Sequence, residues 1–219
     1  MTTTRSSRRT PPLVKATRDI EEAESLDRVV EAVQPLARAL VANPGVAGVL
    51  HGRQLGHALH PLLTDLPIGL WASATALDLL GGEAARPAAS RLVGLGLLAA
   101  VPTVVTGLAE WAVTDRRNQR VGITHATANT ITLGLQTASW LNRRAGWRAS
   151  GVALSLAADL MLTWGGYLGA HMSLARKVAT RDPAFEEGAA ARRPGDLGKG
   201  GPAVGTAGDA DDTPTGPVL

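Results

Sequence analysis

The 219-residue sequence contains no cysteine and very few aromatic residues. The lack of cysteine excludes disulfides, thiolate-bound zinc, cysteine nucleophiles and any iron–sulfur cluster held by cysteines of this chain. Aromatic residues make up 3% of the chain and the net charge is only +3, and no basic stripe with interleaved aromatic residues is present. These features argue against a nucleic-acid partner. The first 60 residues also lack an apolar core region, so no secretory signal peptide is predicted.

The apolar residues are concentrated in one part of the chain. Residues 61–172 are mostly apolar, whereas residues 1–20 and 182–219 are polar and rich in proline, glycine and charge. We expect disordered segments at 1–18 and 182–219, because such compositions bury too little apolar surface to offset the entropy of ordering.

An amphipathic helix is predicted over residues 19–42. Its leucines and valines follow helical spacing, and acidic residues crowd its first turns, where the helix dipole favours negative charge. Pro35 is expected to kink this helix, and Asn43 and Pro44 to end it. We assign residues 19–55 to this helix and a linker, in the cytoplasm or at the membrane interface, because the apolar face needs a cover.

Four hydrophobic segments follow, at residues 61–82, 91–114, 122–142 and 150–174. Each has the roughly 20 residues that a helix needs to cross a hydrocarbon core of about 30 Å. The alternative is a soluble four-helix bundle, but the segments are apolar on most faces and the loops between them are short and charged. The predicted fold class is therefore all-α, an integral membrane four-helix bundle over residues 56–176 in contact with the lipid bilayer.

Basic residues near the ends of these segments predict the orientation in the membrane. Seven lie on the side of both termini and five on the other side, which favours a multi-pass protein of the cell membrane with both termini in the cytoplasm. The first set comprises Arg53, Arg116, Arg117, Arg120, Arg176, Lys177 and Arg181, and the second comprises Arg86, Arg91, Arg143, Arg144 and Arg148.

Three of the five histidines are predicted to lie at one depth, near one face of the membrane. With four crossings, His60, His125 and His171 fall within about 5–8 Å of each other in depth, and His57 lies one turn before His60. Imidazoles that converge from several helices are what a b-type haem or a bound metal ion requires. The alternative is that these histidines hydrogen-bond to headgroups, water or helix-terminal carbonyls.

The candidate ligands follow from this placement. His60, His125 and His171 are candidate metal ligands, and the axial ligands of a haem b are expected to be His60 with either His125 or His171. His57 is an alternative ligand or a partner for a haem propionate. Arg53 and Arg120 lie near the same face, and a guanidinium matches the geometry of a propionate carboxylate.

A polar stripe on the third hydrophobic segment is the second signal. His125, Asn129, Thr132 and Gln136 share one helical face, which is expected to point into the bundle because unpaired polar groups are costly against lipid. Such a stripe also fits a non-redox scaffold or a small transporter, which is the alternative function. No set of nucleophile, base and orienting group is evident, so the chain is not expected to be an enzyme on its own.

The segment around the first histidines carries a recognisable motif. Gly-His-x-Leu-His-Pro at 56–61 is followed by Pro-x-Gly-x-Trp at 67–71. With the runs RLVGLGLLAAVPTVVTGLAEW, RVGITHATANTITLG and GGYLGAH, this chain resembles, over about residues 25–175, a bacterial family of predicted four-helix membrane proteins of unknown function. The family more often has proline where this chain has Ala58.

Members of that family are often fused ahead of a Rieske iron–sulfur domain. No such domain follows here, and a chain without cysteine lacks the thiolates that bind its cluster. The resemblance therefore implies that this chain is the membrane half of an electron-transfer system, with the iron–sulfur or other redox protein on a separate polypeptide.

Overall fold

The computed structural model describes residues 10–185. Residues up to Asp182 belong to one compact unit, and of a second unit, residues 183–219, the structure describes only 183–185. The regular elements of the described residues are helical, which confirms the all-α class. The helices are α1 (Pro12–Glu22), α2 (Asp27–Leu40), α3 (Pro44–Leu50), α4 (Leu59–Leu80), α5 (Arg86–Ala112), α6 (Arg116–Arg144) and α7 (Arg148–Ala170), with short 3-10 turns at Glu24–Leu26 and Arg53–Leu55 and a π turn at His171–Ala175.

The N-terminal region is helical earlier than the sequence indicates. Helix α1 begins at Pro12, where the fixed φ of proline suits the first helical turn, so the prediction of disorder is wrong for residues 12–18. The chain leaves helical geometry at Ala23, so the single helix predicted for 19–42 is two helices, α1 and α2. Pro35 lies inside α2. Residues 1–9 of the predicted disordered segment, and 186–219 of the predicted tail, lie outside the described residues.

Two glycines turn the chain into α4. Gly52 and Gly56 have φ values of 65° and 75°, which residues with a Cβ rarely adopt. A Cβ on Gly52 would lie 2.4 Å from the carbonyl oxygen of His57. The tight bend at these glycines therefore sets where His57 and His60 enter the bundle.

The four long helices agree with the four predicted hydrophobic segments to within a few residues. They form two helical hairpins, because α4 packs mainly against α5 and α6 packs mainly against α7. Between the hairpins, the contact of α5 with α6 is more extensive than that of α4 with α7. Two described helices are long and apolar enough to cross a membrane, namely α5 and α7 with its following turn, Arg148–Ala175. Leu98 and Val101 of α5 and Leu160 of α7 are exposed on the outside of the bundle, as lipid-facing side chains would be.

The two hairpins bury equivalent positions. Every buried residue of α4 has a buried counterpart in α6 that lies 65 residues later, and every buried residue of α7 lies 62 residues after a buried residue of α5. The first set pairs Pro67, Trp71 and Ala74 with Thr132, Gln136 and Ser139, and the second pairs Ala89, Val93, Gly96, Thr103 and Thr106 with Gly151, Ser155, Ala158, Gly165 and Leu168. The bundle is therefore an internal repeat of one hairpin.

Candidate functional site: a histidine from each hairpin

His60 lies in the first turn of α4 and is fixed by α5. Its Nδ1 lies 2.9 Å from the carbonyl oxygen of Thr103, so Nδ1 must carry the proton and donate it. One turn further along α5, Gly107 leaves space for the ring, since a Cβ there would lie 2.7 Å from the Cε1 atom of His60. No described residue hydrogen-bonds to the Nε2 atom of His60, whose lone pair remains available.

His125 of α6 is held in the same way by α7. Its Nδ1 lies 2.8 Å from the carbonyl oxygen of Gly165, and a Cβ on Gly169, one turn later, would lie 3.1 Å from its Cε1 atom. Nδ1 is again the protonated nitrogen, and the side-chain amide of Asn129 donates to the lone pair of Nε2 at 3.0 Å. In each hairpin, the second helix therefore orients the histidine of the first. A backbone carbonyl accepts the Nδ1 proton, and a glycine one turn later leaves space for the ring.

The two rings meet between the hairpins. Their centroids are 6.4 Å apart and their planes are inclined at 88°. His60 and His125 are 65 residues apart, the same spacing that relates the buried positions of α4 and α6. We call these two residues the histidine pair. They are equivalent half-sites contributed by the two repeats, each with one fixed proton and one nitrogen lone pair.

His171 belongs to a different set of contacts. Its Nε2 atom lies 2.8 Å from the Glu21 carboxylate of α1, which Arg176 also contacts through its Nε atom at 2.6 Å. Burial raises the pKa of the Glu21 carboxyl, but hydrogen bonds from Arg176 and His171 outweigh it, so the pKa lies below its ordinary value. Among residues 10–185, no group of three histidine or acidic side chains is arranged to hold a metal ion. The structure thus does not bring together the three histidines predicted as metal ligands.

The other predicted site residues are placed at the same end of the bundle but outside the pair. His57 is exposed, and its Nδ1 lies 3.1 Å from the carbonyl oxygen of the adjacent Ala58. Arg53 is also exposed. Arg120 makes two hydrogen bonds of 2.8 Å to the Asp27 carboxylate of α2, so its guanidinium is engaged in docking that helix.

His51, in the segment before α4, is a buried residue that the sequence pattern does not single out. Its Nδ1 lies 2.9 Å from a carboxylate oxygen of Glu110 near the end of α5, and the other oxygen of Glu110 accepts from the backbone N–H and hydroxyl of Thr180. The backbone N–H of Ala58 donates in turn to the carbonyl oxygen of Thr180. These contacts tie the segment after α7 to the segment before α4.

A second polar cluster occupies the opposite end of the bundle. The Asp78 carboxylate of α4 accepts from Arg143 of α6 at 2.9 Å and from Arg148 of α7 at 2.7 Å. The Asp78 and Arg143 side chains are only 1% and 2% exposed. Asp78 and Arg143 are also related by the 65-residue repeat, so equivalent positions of the two hairpins carry opposite charges that pair.

The cluster continues toward the middle of the bundle through neutral groups. Arg143 also donates to the hydroxyl of Ser155, which donates to the Gln136 side-chain oxygen at 3.0 Å. The Gln136 amide donates to Asp159 at 3.3 Å, and Thr75 donates to the other Asp159 oxygen at 2.6 Å. Gln136 belongs to the predicted polar stripe, which therefore faces other helices.

The apolar exposed faces of α5 and α7 and the polar contacts between the helices are typical of a helical membrane protein. Residues 56–182 match the family described as "Predicted membrane protein (DUF2231)". The match covers more than half of the chain, and the protein belongs to this family. No curated protein and no solved structure matches the chain.

Proposed function

We propose that all four long helices cross the membrane and that the histidine pair holds a b-type haem, so that the protein carries electrons to or from a separate redox protein. Helices α4 and α6 have 22 and 29 residues, so each is longer than the roughly 20 residues needed to span a bilayer. Part of their lower hydropathy comes from buried polar side chains that contact other helices, such as Asp78 of α4 and Gln136 of α6.

The state of the two imidazoles is the observation that carries this proposal. Histidines that bind a metal usually donate the proton of the second ring nitrogen to a carbonyl or carboxylate, which fixes the tautomer and the ring orientation. His60 and His125 both do so through Nδ1. The ring centroids are 6.4 Å apart, so His60 and His125 would be the residues that hold the metal of a bound haem.

A macrocycle would have to enter between the two hairpins. Each ring lies over a glycine, Gly107 or Gly169, and the contacts between hairpins are less extensive than those within them. The Asn129 amide would have to leave the Nε2 atom of His125 before that lone pair could bind a metal ion. His57 and Arg53 are exposed at the same end and are available to the propionates.

The orientation follows from the charge distribution. Seven basic residues lie near the helix ends on the side of both termini and five on the other side, which favours cytoplasmic termini. The haem then lies near the cytoplasmic face, where a soluble iron–sulfur or other redox protein can reach it. Single cysteines at positions 86 and 144 should react with an impermeant reagent from outside the cell only, and labelling from the cytoplasmic side alone would reverse the orientation.

The alternative function is a non-redox scaffold or small transporter. The polar cluster from Asp78 to Asp159 favours it, because this cluster continues into the half of the bundle opposite the histidine pair. A pathway for a polar solute requires such groups at successive depths.

An absorption spectrum of the purified protein, oxidised and then reduced, tests the haem proposal. After haem-replete expression we expect a Soret band that shifts on reduction and is lost in His60→Ala and in His125→Ala. His171→Ala is the matched control and should keep the band, since His171 contacts Glu21 of α1 and lies outside the histidine pair. Purified protein without a Soret band would refute haem binding, and an unchanged band in both pair variants would refute the ligand assignment.

A further inference from the structure

Asp159 is an acidic residue at the centre of an apolar helix. It lies 11 residues from Arg148 and 11 from Ala170, the two ends of α7. It therefore falls in the middle of one of the two helices that are long and apolar enough to cross a membrane. An ionisable group at this depth is costly and is usually retained for a function.

Neutral groups supply the hydrogen bonds to this carboxyl. Thr75 of α4 donates to Oδ2 at 2.6 Å, and Gln136 of α6 donates to Oδ1 at 3.3 Å. Among the described residues, no arginine, lysine or histidine lies within ion-pair distance of Asp159. The buried Asp78 and Glu21 differ in this respect, because arginine guanidinium groups contact both of them.

The charged groups on the neighbouring helices are committed elsewhere. On α6, Arg143 contacts Asp78 of α4 and reaches Asp159 only through Ser155 and Gln136. Arg148, at the start of α7, also contacts Asp78. On α5, Arg91 is exposed. If Asp159 were ionised, its charge would lie in a low-dielectric region without a counter-charge, which is strongly unfavourable.

We propose that Asp159 is a proton-binding site in the interior of the membrane, and that its carboxyl group is neutral at neutral pH. The ligand is a proton taken from water and held on one carboxyl oxygen, with Thr75 and Gln136 orienting the group. The carboxyl is half-buried where α7 meets α4 and α6. The site is formed by residues of both hairpins, and it does not require a bound haem.

Infrared spectroscopy of the full-length protein in lipid nanodiscs tests this proposal. At neutral pH we expect a carboxylic acid C=O band that shifts in D₂O, disappears in Asp159→Asn and declines as the pH is raised. Asp65→Asn is the control and should keep the band, because it removes a carboxyl of the same helix as Thr75 that makes none of the contacts of Asp159. Thr75→Val should shift the frequency of the band by removing a hydrogen bond, and this variant serves if Asp159→Asn does not fold.

Two results would overturn the proposal. Wild-type protein without a carboxylic acid band at neutral pH would show that Asp159 is ionised. A band that disappears when sodium replaces choline at constant pH would show a cation site formed by the oxygens of Asp159, Thr75 and Gln136 in place of a proton site.

Discussion

Replacing Asp78 by asparagine should destabilise the bundle more than any substitution of an exposed charge. The Asp78 carboxylate contacts both Arg143 and Arg148, and its side chain is 1% exposed. Asparagine has a similar size but no charge. The Arg143 guanidinium, 2% exposed, would then remain buried without a counter-charge.

The size of the effect follows from this burial. Removal of one partner from a buried ion pair costs about 3–5 kcal/mol, because the other charge is left uncompensated. Removal of both charges avoids that penalty, so Asp78→Leu combined with Arg143→Met should cost less than Asp78→Asn alone. The exposed pair of Glu83 and Arg86 is the matched control, and Glu83→Gln should cost about 0–1 kcal/mol.

The assay is reversible unfolding in mixed micelles of mild detergent and dodecyl sulfate, followed by tryptophan fluorescence. The free energies of unfolding of the single variants, the double variant and the Glu83→Gln control are compared under one set of conditions. The reasoning is refuted if Asp78→Asn costs no more than Glu83→Gln, or if the double variant is less stable than Asp78→Asn.

Three further outcomes test other parts of the molecule. The folded-state pKa of Glu21 lies below its ordinary value, so the stabilisation that Glu21 gives to α1 should be complete at neutral pH and lost as the pH falls through the folded-state pKa. Hydrogen exchange of the α1 amides should speed up over this pH range. In Glu21→Gln it should already be faster at neutral pH. Gly107→Ala would place a methyl group 2.7 Å from the His60 ring and should abolish the chromophore, whereas Gly134→Ala meets no atom within 4 Å and should keep it. Removal of residues 185–219 should leave membrane-inserted protein at wild-type levels, because this segment has few large apolar residues to bury.

The helices of the membrane domain could be predicted from the sequence because each is a long apolar run between polar loops. Local signals also fix several ends, such as Asp115, whose carboxylate accepts from the N–H groups of Arg117 and Asn118 at the start of α6. The early start of α1 was missed because its composition is polar. Its helix is stabilised by tertiary contacts, among them Thr17 with Tyr167 of α7 at 3.2 Å.

The placement of the histidines could be predicted only in part. Depth along a helix follows from the sequence, and it correctly brings His60 and His125 together. Whether a ring turns toward a neighbouring helix depends on side-chain partners far away in the chain, such as Glu21 for His171 and Glu110 for His51. No spacing rule reveals such pairs.

The internal repeat did leave a signal in the sequence. His60 and His125 are each followed, nine and ten residues later, by Gly-Leu, at Gly69 and Gly134 and the leucines after them. Few other residues are shared between the repeats, since Trp71 corresponds to Gln136 and Asp78 to Arg143. The repeat is clear only from which positions are buried, because packing geometry is retained while the side chains have diverged.

Synthesis from the N-terminus completes α4 and α5 before α6 and α7 exist. The proton of His60 already has its acceptor within this first hairpin, at Thr103, so this ring nitrogen can be satisfied before the second hairpin is made. The Asp78 carboxylate has no such partner in its own hairpin and meets Arg143 and Arg148 only when α6 and α7 arrive. The ion pair that joins the two hairpins at this end of the bundle can therefore form only after the second hairpin has been made.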